Sequence, residues 1–196
     1  MNNFFRALNR GPIFRLTHAI VCWRRQRRFE SWRRGDRRRA SIARDLLLAG
    51  NLEPYPWISV GEGSEIQRNC LIWIDTDEST EPRLTIGKRV FIGQGSHLSV
   101  MRPMAIGDNC LIGAYCYLLT NNHRFDLRTV PIRDQDYVKK PLTLKEDVWV
   151  GAHSVLMPGI TVGKGAIIGA GSVVTKSVGD YEIWGGVPAK KIGDRP

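Results

Sequence analysis

The sequence predicts an all-β fold: a parallel β-helix of about five coils, with a basic, helical N-terminal arm and a short C-terminal tail. Three observations carry that reading. From Val60 onward an aliphatic residue recurs every six positions, the fifth residue of each hexad is small, and the interruptions fall after every third hexad.

The clearest hexads are "VGEGSE", "IGKRVF", "IGQGSH", "IGDNCL", "IGAYCY", "VGAHSV", "VGKGAI" and "IGAGSV". Their first residues, with weaker members included, are 60, 66 and 72, then 86, 92 and 98, then 106, 112 and 118, then 144, 150 and 156, then 162, 168 and 174. Each hexad reads as one flat face, and three hexads as one turn of a triangular prism. The aliphatic residue fills the axis, the small fifth residue points inward at a crowded corner, and glycine relieves the backbone where the chain bends. Five coils at about 4.8 Å spacing make a prism roughly 24 Å tall. A β-sandwich would alternate with period two and vary its strand spacing, whereas here one frame persists from Leu144 to Gly179.

Residues 78–85, 104–105 and 124–143 are insertions that leave the prism at one corner. The longest begins immediately after His123. The organisation expected is an Arg-rich arm over 1–57, a β-helix domain over 58–179 carrying the loop 124–143, and a tail over 180–196.

The net charge of +10 is concentrated in the arm. Residues 1–44 hold 13 arginines, no lysine and only Glu30 and Asp36, while the remaining residues are close to neutral. Ile13, Leu16, Ile20 and Val21 fit a helical stripe, followed by "CWRRQRRFESWRRGDRRR". Aromatic residues among arginines suit an anionic membrane surface, with each basic residue contributing about 1 kcal/mol there. Nucleic acid is the less favoured partner, because the prism offers no reading element. An arm packed on an oligomer of the chain, a trimer, with its arginines exposed is the plain alternative. No apolar run approaches the roughly 18 residues of a spanning helix, so a cytoplasmic location without a cleaved signal is expected. Cys22, Cys70, Cys110 and Cys116 form no C-x-x-C pair, and three of them occupy fifth positions, as small buried groups would.

Periodicity does not give handedness, and the usual crossover rule would suggest a right-handed coil. The hexads, together with "VWVGAHSVLMPGITVGKGAIIGAGSVVTKSV" and the closing "GGVPAKKIG", resemble the hexapeptide-repeat acyltransferases over about residues 58–193. The likeness is nearest to the maltose, galactoside and polysaccharide O-acetyltransferases. It implies a left-handed parallel β-helix, acetyl-CoA as co-substrate, no metal, a homotrimer, and a saccharide hydroxyl as acceptor in surface polysaccharide synthesis.

Acyl transfer from a thioester needs a base, a donor for the developing oxyanion and a slot for the carrier. Among His18, His97, His123 and His153, the segment "TNNHRFD" resembles the one that carries the family's catalytic histidine, which assigns the base to His123. His153 reads equally well as a surface or subunit-contact residue. Asp126, Asp134 and Asp136 are candidates to orient the imidazole, as is a backbone carbonyl. By resemblance the amide of Ala152 lies beside the thioester, Trp149 lines the pantetheine passage, and Ala170, Thr175, Lys176 and Lys190 match carrier-binding positions, with Lys191 and Arg195 as additions. His97, Asn122 and Asp126 are the acceptor-side residues. The alternatives are an antibiotic or a nucleotide-amino-sugar acceptor, and a metal-dependent hydratase on the same scaffold. The hydratase would need His97, His123 and His153 to converge, although no closely spaced histidine pair occurs.

Overall fold

In the computed structural model the described residues are 57–74 and 84–196, together with the backbone of Ala40–Ile42 and Leu47–Gly50. The hexad ladder becomes three stacks of parallel strands, one for each face of a prism. The first face stacks Ala40–Ile42, Ser64–Ile66, Phe91–Ile92, Leu111–Ile112, Trp149–Val150, Ile167–Ile168 and Glu182–Gly186. The second stacks Leu47–Gly50, Leu71–Ile74, His97–Val100, Tyr117–Leu119, Val155–Leu156 and Val173–Val174. Ile58–Val60, Leu84–Ile86, Met104–Ile106, Leu142–Leu144 and Thr161–Val162 make the third.

Register follows the six-residue count. On the first face Ile66, Ile92, Ile112, Val150 and Ile168 pair with one another in succession, and each is 2% exposed or less. Fifth-position Ser64, Cys70, Ser96, Cys110, Cys116, Ser154 and Ser172 are likewise buried. Several of these donate across the coil spacing: Ser64 Oγ to the Gly87 carbonyl at 2.7 Å, Cys70 Sγ to Gly93 at 3.3 Å and Cys116 Sγ to Gly151 at 3.3 Å. A small polar side chain at a crowded corner therefore keeps a partner after it leaves water. Cys70, Cys110 and Cys116 are all buried, and burial pushes Cys110 up to about 11 and Cys116 in the same direction. Cys22 lies outside the described residues.

The ends of the prism differ from the sequence expectation. Ala40–Ile42 and Leu47–Gly50 pair with Ser64–Ile66 and Leu71–Ile74, so strand pairing begins upstream of the arm boundary at residue 57. Ile42 and Leu48 stand three and two hexads before Val60, in phase with the ladder, but neither is followed by glycine and arginines surround them. That missing aliphatic-Gly pair is what concealed the frame. At the other end the tail is a hairpin. Glu182–Gly186 extends the first face and Ala189–Asp194 returns antiparallel to it. The helical stripe expected over residues 13–21 lies outside the described residues.

The expected insertions fall between second-face and third-face strands, but residues 104–105, like 84–85 and 142–143, do not leave the prism: they pair with one another within the third-face strands. The role assigned to glycine needs correcting. The left-handed backbone bend sits at the fourth residue of the hexad, occupied by Asn69, Arg89, Asn109, Tyr115, Asp147 and His153 as well as by glycine. Glycine at the second position answers a different constraint, the approach of the next coil. A Cβ on Gly113 would stand 2.5 Å from the Ala152 nitrogen, and one on Gly151 would stand 2.5 Å from that of Ala170. Backbone cannot yield there as a flexible side chain would.

Gly113→Ala should therefore cost roughly 2–4 kcal/mol in urea unfolding. Gly171→Ala, where φ is +71° but nothing lies within 4 Å, should cost only about 1–2 kcal/mol for the left-handed backbone. Equal losses in the two variants would show that coil approach is not the constraint.

Candidate active site

The long excursion leaves and rejoins the prism at one residue. The Lys140 amide donates to the Thr120 carbonyl at 2.8 Å, closing the neck. Beyond it Asn121–His123 and Tyr137–Lys139 form a two-stranded antiparallel hairpin with His123 opposite Tyr137. Antiparallel pairing lets the chain go out and come back within one coil spacing.

His123 is exposed, and its ring leans on that of Tyr137 with centroids 4.5 Å apart and planes at 39°. The carboxylates expected to orient it are engaged elsewhere. Both Asp126 oxygens face Arg124, at 3.0 and 2.7 Å, and this pairing holds the Asp126 carboxyl below its ordinary range. Side chains two residues apart in extended chain point the same way, so Arg124 claims Asp126 first. Asp134 lies 3.9 Å from Arg133, and Asp136 accepts the Tyr137 amide at 2.7 Å. Asn122 Oδ1 accepts the amide of His123 at 3.0 Å and so shapes the backbone at the base itself. Farther out, Gln135 is only 5% exposed. Its amide nitrogen donates to the carbonyls of Leu127 and Val130 at 2.9 and 2.8 Å, and its oxygen accepts the Leu127 N–H at 3.2 Å. That one side chain ties the loop to itself, and no motif announces it.

The carrier-side residues divide between two corners. Trp149, 49% exposed, stands on the outer side of the first face, and Ala152 and Ala170 follow at the corner between first and second faces. The bare second-position glycines Gly113 and Gly151 sit directly against the nitrogens of Ala152 and Ala170. Among the described residues neither of those N–H groups has an acceptor, whereas the Ala152 carbonyl takes the Gly171 amide at 2.8 Å. Beside them His153 stacks on Tyr115 with centroids 5.2 Å apart and planes at 13°. Thr175 and Lys176, both exposed, lie at the far end of the second face, on the corner from which the His123 hairpin departs. Lys190 is exposed on the terminal hairpin, opposite Gly185. Lys191 is held by Glu182 and Asp194 at 3.1 and 2.7 Å, and Arg195 by Asp147 at 2.8 Å. These two cations serve the end of the prism.

His97 opens the second-face strand His97–Val100 and meets Tyr117 edge-on at 5.5 Å. Its Nε2 is buried without a hydrogen-bond partner among the described residues, and burial lowers its pKa. The structure does not place it against Asn122 or Asp126. His97, His123 and His153 occupy a face, a hairpin and a corner. Among the described residues no group of three or more His, Cys, Asp or Glu side chains is gathered as metal ligands would be.

Comparison with known proteins agrees with this architecture. Residues 142–176 match the family profile for bacterial transferase hexapeptide (six repeats), and residues 103–119 match that for the hexapeptide repeat of succinyl-transferase. A chloramphenicol acetyltransferase of Agrobacterium fabrum is 30% identical over 170 residues, covering 85% of this chain and 76% of the relative. A probable acetyltransferase of Mycobacterium tuberculosis is 31% identical across 74% of this chain, but the match spans only 44% of that relative's length. Galactoside O-acetyltransferase of Escherichia coli is 36% identical over 91 residues, covering 45% of this chain and 43% of the enzyme. In fold, the chain superposes on a variant of AntD, an N-acyltransferase from Bacillus cereus in complex with a dTDP-amino sugar and coenzyme A. The TM-score is 0.67 at 23% identity, covering 80% of this chain and 84% of that one. Sharing both this ladder of hexads and an extended likeness to the Agrobacterium enzyme, the chain belongs to the hexapeptide-repeat acyltransferases, and its fold is the left-handed parallel β-helix.

Proposed function

We propose that the protein is an acetyl-CoA-dependent O-acetyltransferase acting on a saccharide, with His123 as general base. The observation that carries this reading is the placement of His123. A single exposed imidazole is carried off the prism on a pinned hairpin, with its ring leaning on Tyr137. The galactoside relative supports a sugar hydroxyl as acceptor, and surface polysaccharide synthesis is the role proposed with it.

In the proposed reaction neutral His123 removes the acceptor hydroxyl proton as the oxygen attacks the thioester carbonyl. The carbonyl becomes a tetrahedral oxyanion facing the Ala152 N–H, which has no acceptor among the described residues. Collapse breaks the carbon–sulfur bond and expels the CoA thiolate, which takes the proton from the imidazolium. No acyl-enzyme is formed. Trp149, Ala170, Thr175, Lys176 and Lys190 are the carrier-binding residues of this scheme, with Lys176 and Lys190 facing the phosphates. Because the Agrobacterium relative is a chloramphenicol acetyltransferase, an antibiotic hydroxyl is the second reading.

His123 and Ala152 stand on different corners of one prism. A cyclic homotrimer would bring one copy's hairpin to another copy's bared amides. Leu111 and Trp149 on the first face, 46% and 49% exposed, and Phe125 on the loop, 72% exposed, are the apolar surface such an assembly would cover. The arm is assigned to an anionic membrane surface on its charge; among the described residues no helix is long and apolar enough to cross a membrane.

CoA release from acetyl-CoA across galactosides, oligosaccharides, a dTDP-amino sugar and chloramphenicol tests the acceptor. His123→Ala should lower kcat by about 10² to 10⁴-fold and leave acetyl-CoA binding intact. Near wild-type turnover in that variant removes the base assignment. Light scattering should give three times the chain mass, and a monomer that turns over at full rate would exclude the shared site. Sedimentation with phosphatidylserine vesicles should be lost at high salt and on deleting residues 1–44; binding that survives the deletion would clear the arm of that role.

A further inference from the structure

The neck of the excursion carries a hydrogen-bond network that the reaction scheme does not use. Thr120 is fully buried, and its hydroxyl is saturated. Oγ1 donates to the Ser99 carbonyl at 2.8 Å and accepts the amides of Met101 and Arg102 at 2.7 and 3.1 Å. The Thr120 main chain adds two more bonds, its N–H to the Ser99 carbonyl at 3.0 Å and its carbonyl from the Lys140 amide. Ser99 Oγ, in a residue only 7% exposed, donates to Asn121 Oδ1 at 2.6 Å. One buried residue thus joins the turn of the coil below, the departing strand and the returning strand.

We infer that Thr120, Ser99 and Asn121 are positioning residues for His123, a clamp that fixes where the catalytic hairpin stands on its corner. The inference rests on His123 being the base. Its physical basis is leverage. The imidazole is three residues beyond Thr120 on a strand that, among the described residues, pairs with one neighbour, so the direction of that strand is set at its root. The Ser99–Asn121 bond fixes the first residue of the strand against the coil below. Thr120 fixes the separation of the two strands by holding the start of one and the return of the other. A hydroxyl suits this place because the two amides of a tight turn and one carbonyl converge there, and a single oxygen with one proton and two lone pairs answers all three.

Thr120→Val keeps the shape of the side chain but removes the oxygen that accepts both turn amides. Turnover with the best acceptor of the panel above should fall roughly 10²-fold, the scale of a small misplacement of a catalytic group, while KM for acetyl-CoA changes less than about twofold. Thr120→Ser, which restores the hydroxyl, should recover most of the loss. Ser99→Ala and Asn121→Ala remove one bond from either side. Each should lower kcat, and the double variant should be no worse than the poorer single. Hydrogen exchange on the full chain supplies the second measurement. In Ser99→Ala the amides of residues 122–139 should exchange faster, with those of Ile112 and Val150 unchanged. Should His123→Ala abolish turnover while folded Thr120→Val, Ser99→Ala and Asn121→Ala keep wild-type kcat and wild-type hairpin exchange, the clamp is refuted and the base stands. An active His123→Ala would instead overturn the base assignment, and the clamp with it.

Discussion

Each coil of this prism hangs on the next by main-chain hydrogen bonds, and where the coils approach most closely, at second-position glycines such as Gly113 and Gly151, that spacing leaves no room for a Cβ. The Gly113 amide bonds the Val150 carbonyl at 2.8 Å and the Gly151 amide bonds that of Ile168 at 2.7 Å, with the neighbouring nitrogen close above each α-carbon. The same restriction that packs the coils strips cover from the amides of Ala152 and Ala170. A stacking requirement thus yields unpaired donors at a corner, which is what a reaction with a developing oxyanion needs. Catalytic potential here is a by-product of how a β-helix is built, and the particular chemistry depends on what is added to it.

What is added enters at the one corner where the ladder tolerates interruption. An inserted segment is acceptable if the coil above resumes in register, so the chain must come back to where it left. The bond from Lys140 to Thr120 meets that condition for an excursion of about twenty residues, and Leu142–Leu144 then pairs with Met104–Ile106 as if nothing had intervened. An imidazole within a coil would be packed or flush with a face. On the hairpin His123 stands clear of the prism while its strand is held by pairing with Tyr137–Lys139.

The ladder was legible in the sequence because a stacked coil repeats its demands at fixed intervals. Ile66, Ile92 and Ile112 could be aligned by counting, and the structure pairs them as counted. Legibility failed where a demand is met without repetition. Ile42 and Leu48 keep the spacing but lack the following glycine, so the first strands passed for part of the arm. The left-handed bend at the fourth position accepts Asn, Asp, Arg, Tyr and His, so it leaves no compositional trace. Within the candidate site His123 could be picked out by its segment, but its surroundings could not. Arg124 captures Asp126, Gln135 ties the loop, and Tyr137 supplies the ring contact, all through pairings specific to one irregular excursion.

The division of the candidate residues between two corners bears on which charges serve the carrier. The four basic candidates Lys176, Lys190, Lys191 and Arg195 are alike in charge, but Lys191 is committed to Glu182 and Asp194, and Arg195 to Asp147. Such exposed pairs are individually weak, and together they fasten the terminal hairpin and last corner onto the prism. Lys176 and Lys190 enter none of these ion pairs among the described residues, so they are the cations that a phosphate could approach without breaking a contact. In the proposed assembly this gives the two kinds of corner different work. One presents bared main-chain donors beside Trp149, the other presents the proposed base on a pinned stalk, and in that proposal a second copy brings the half that each corner lacks.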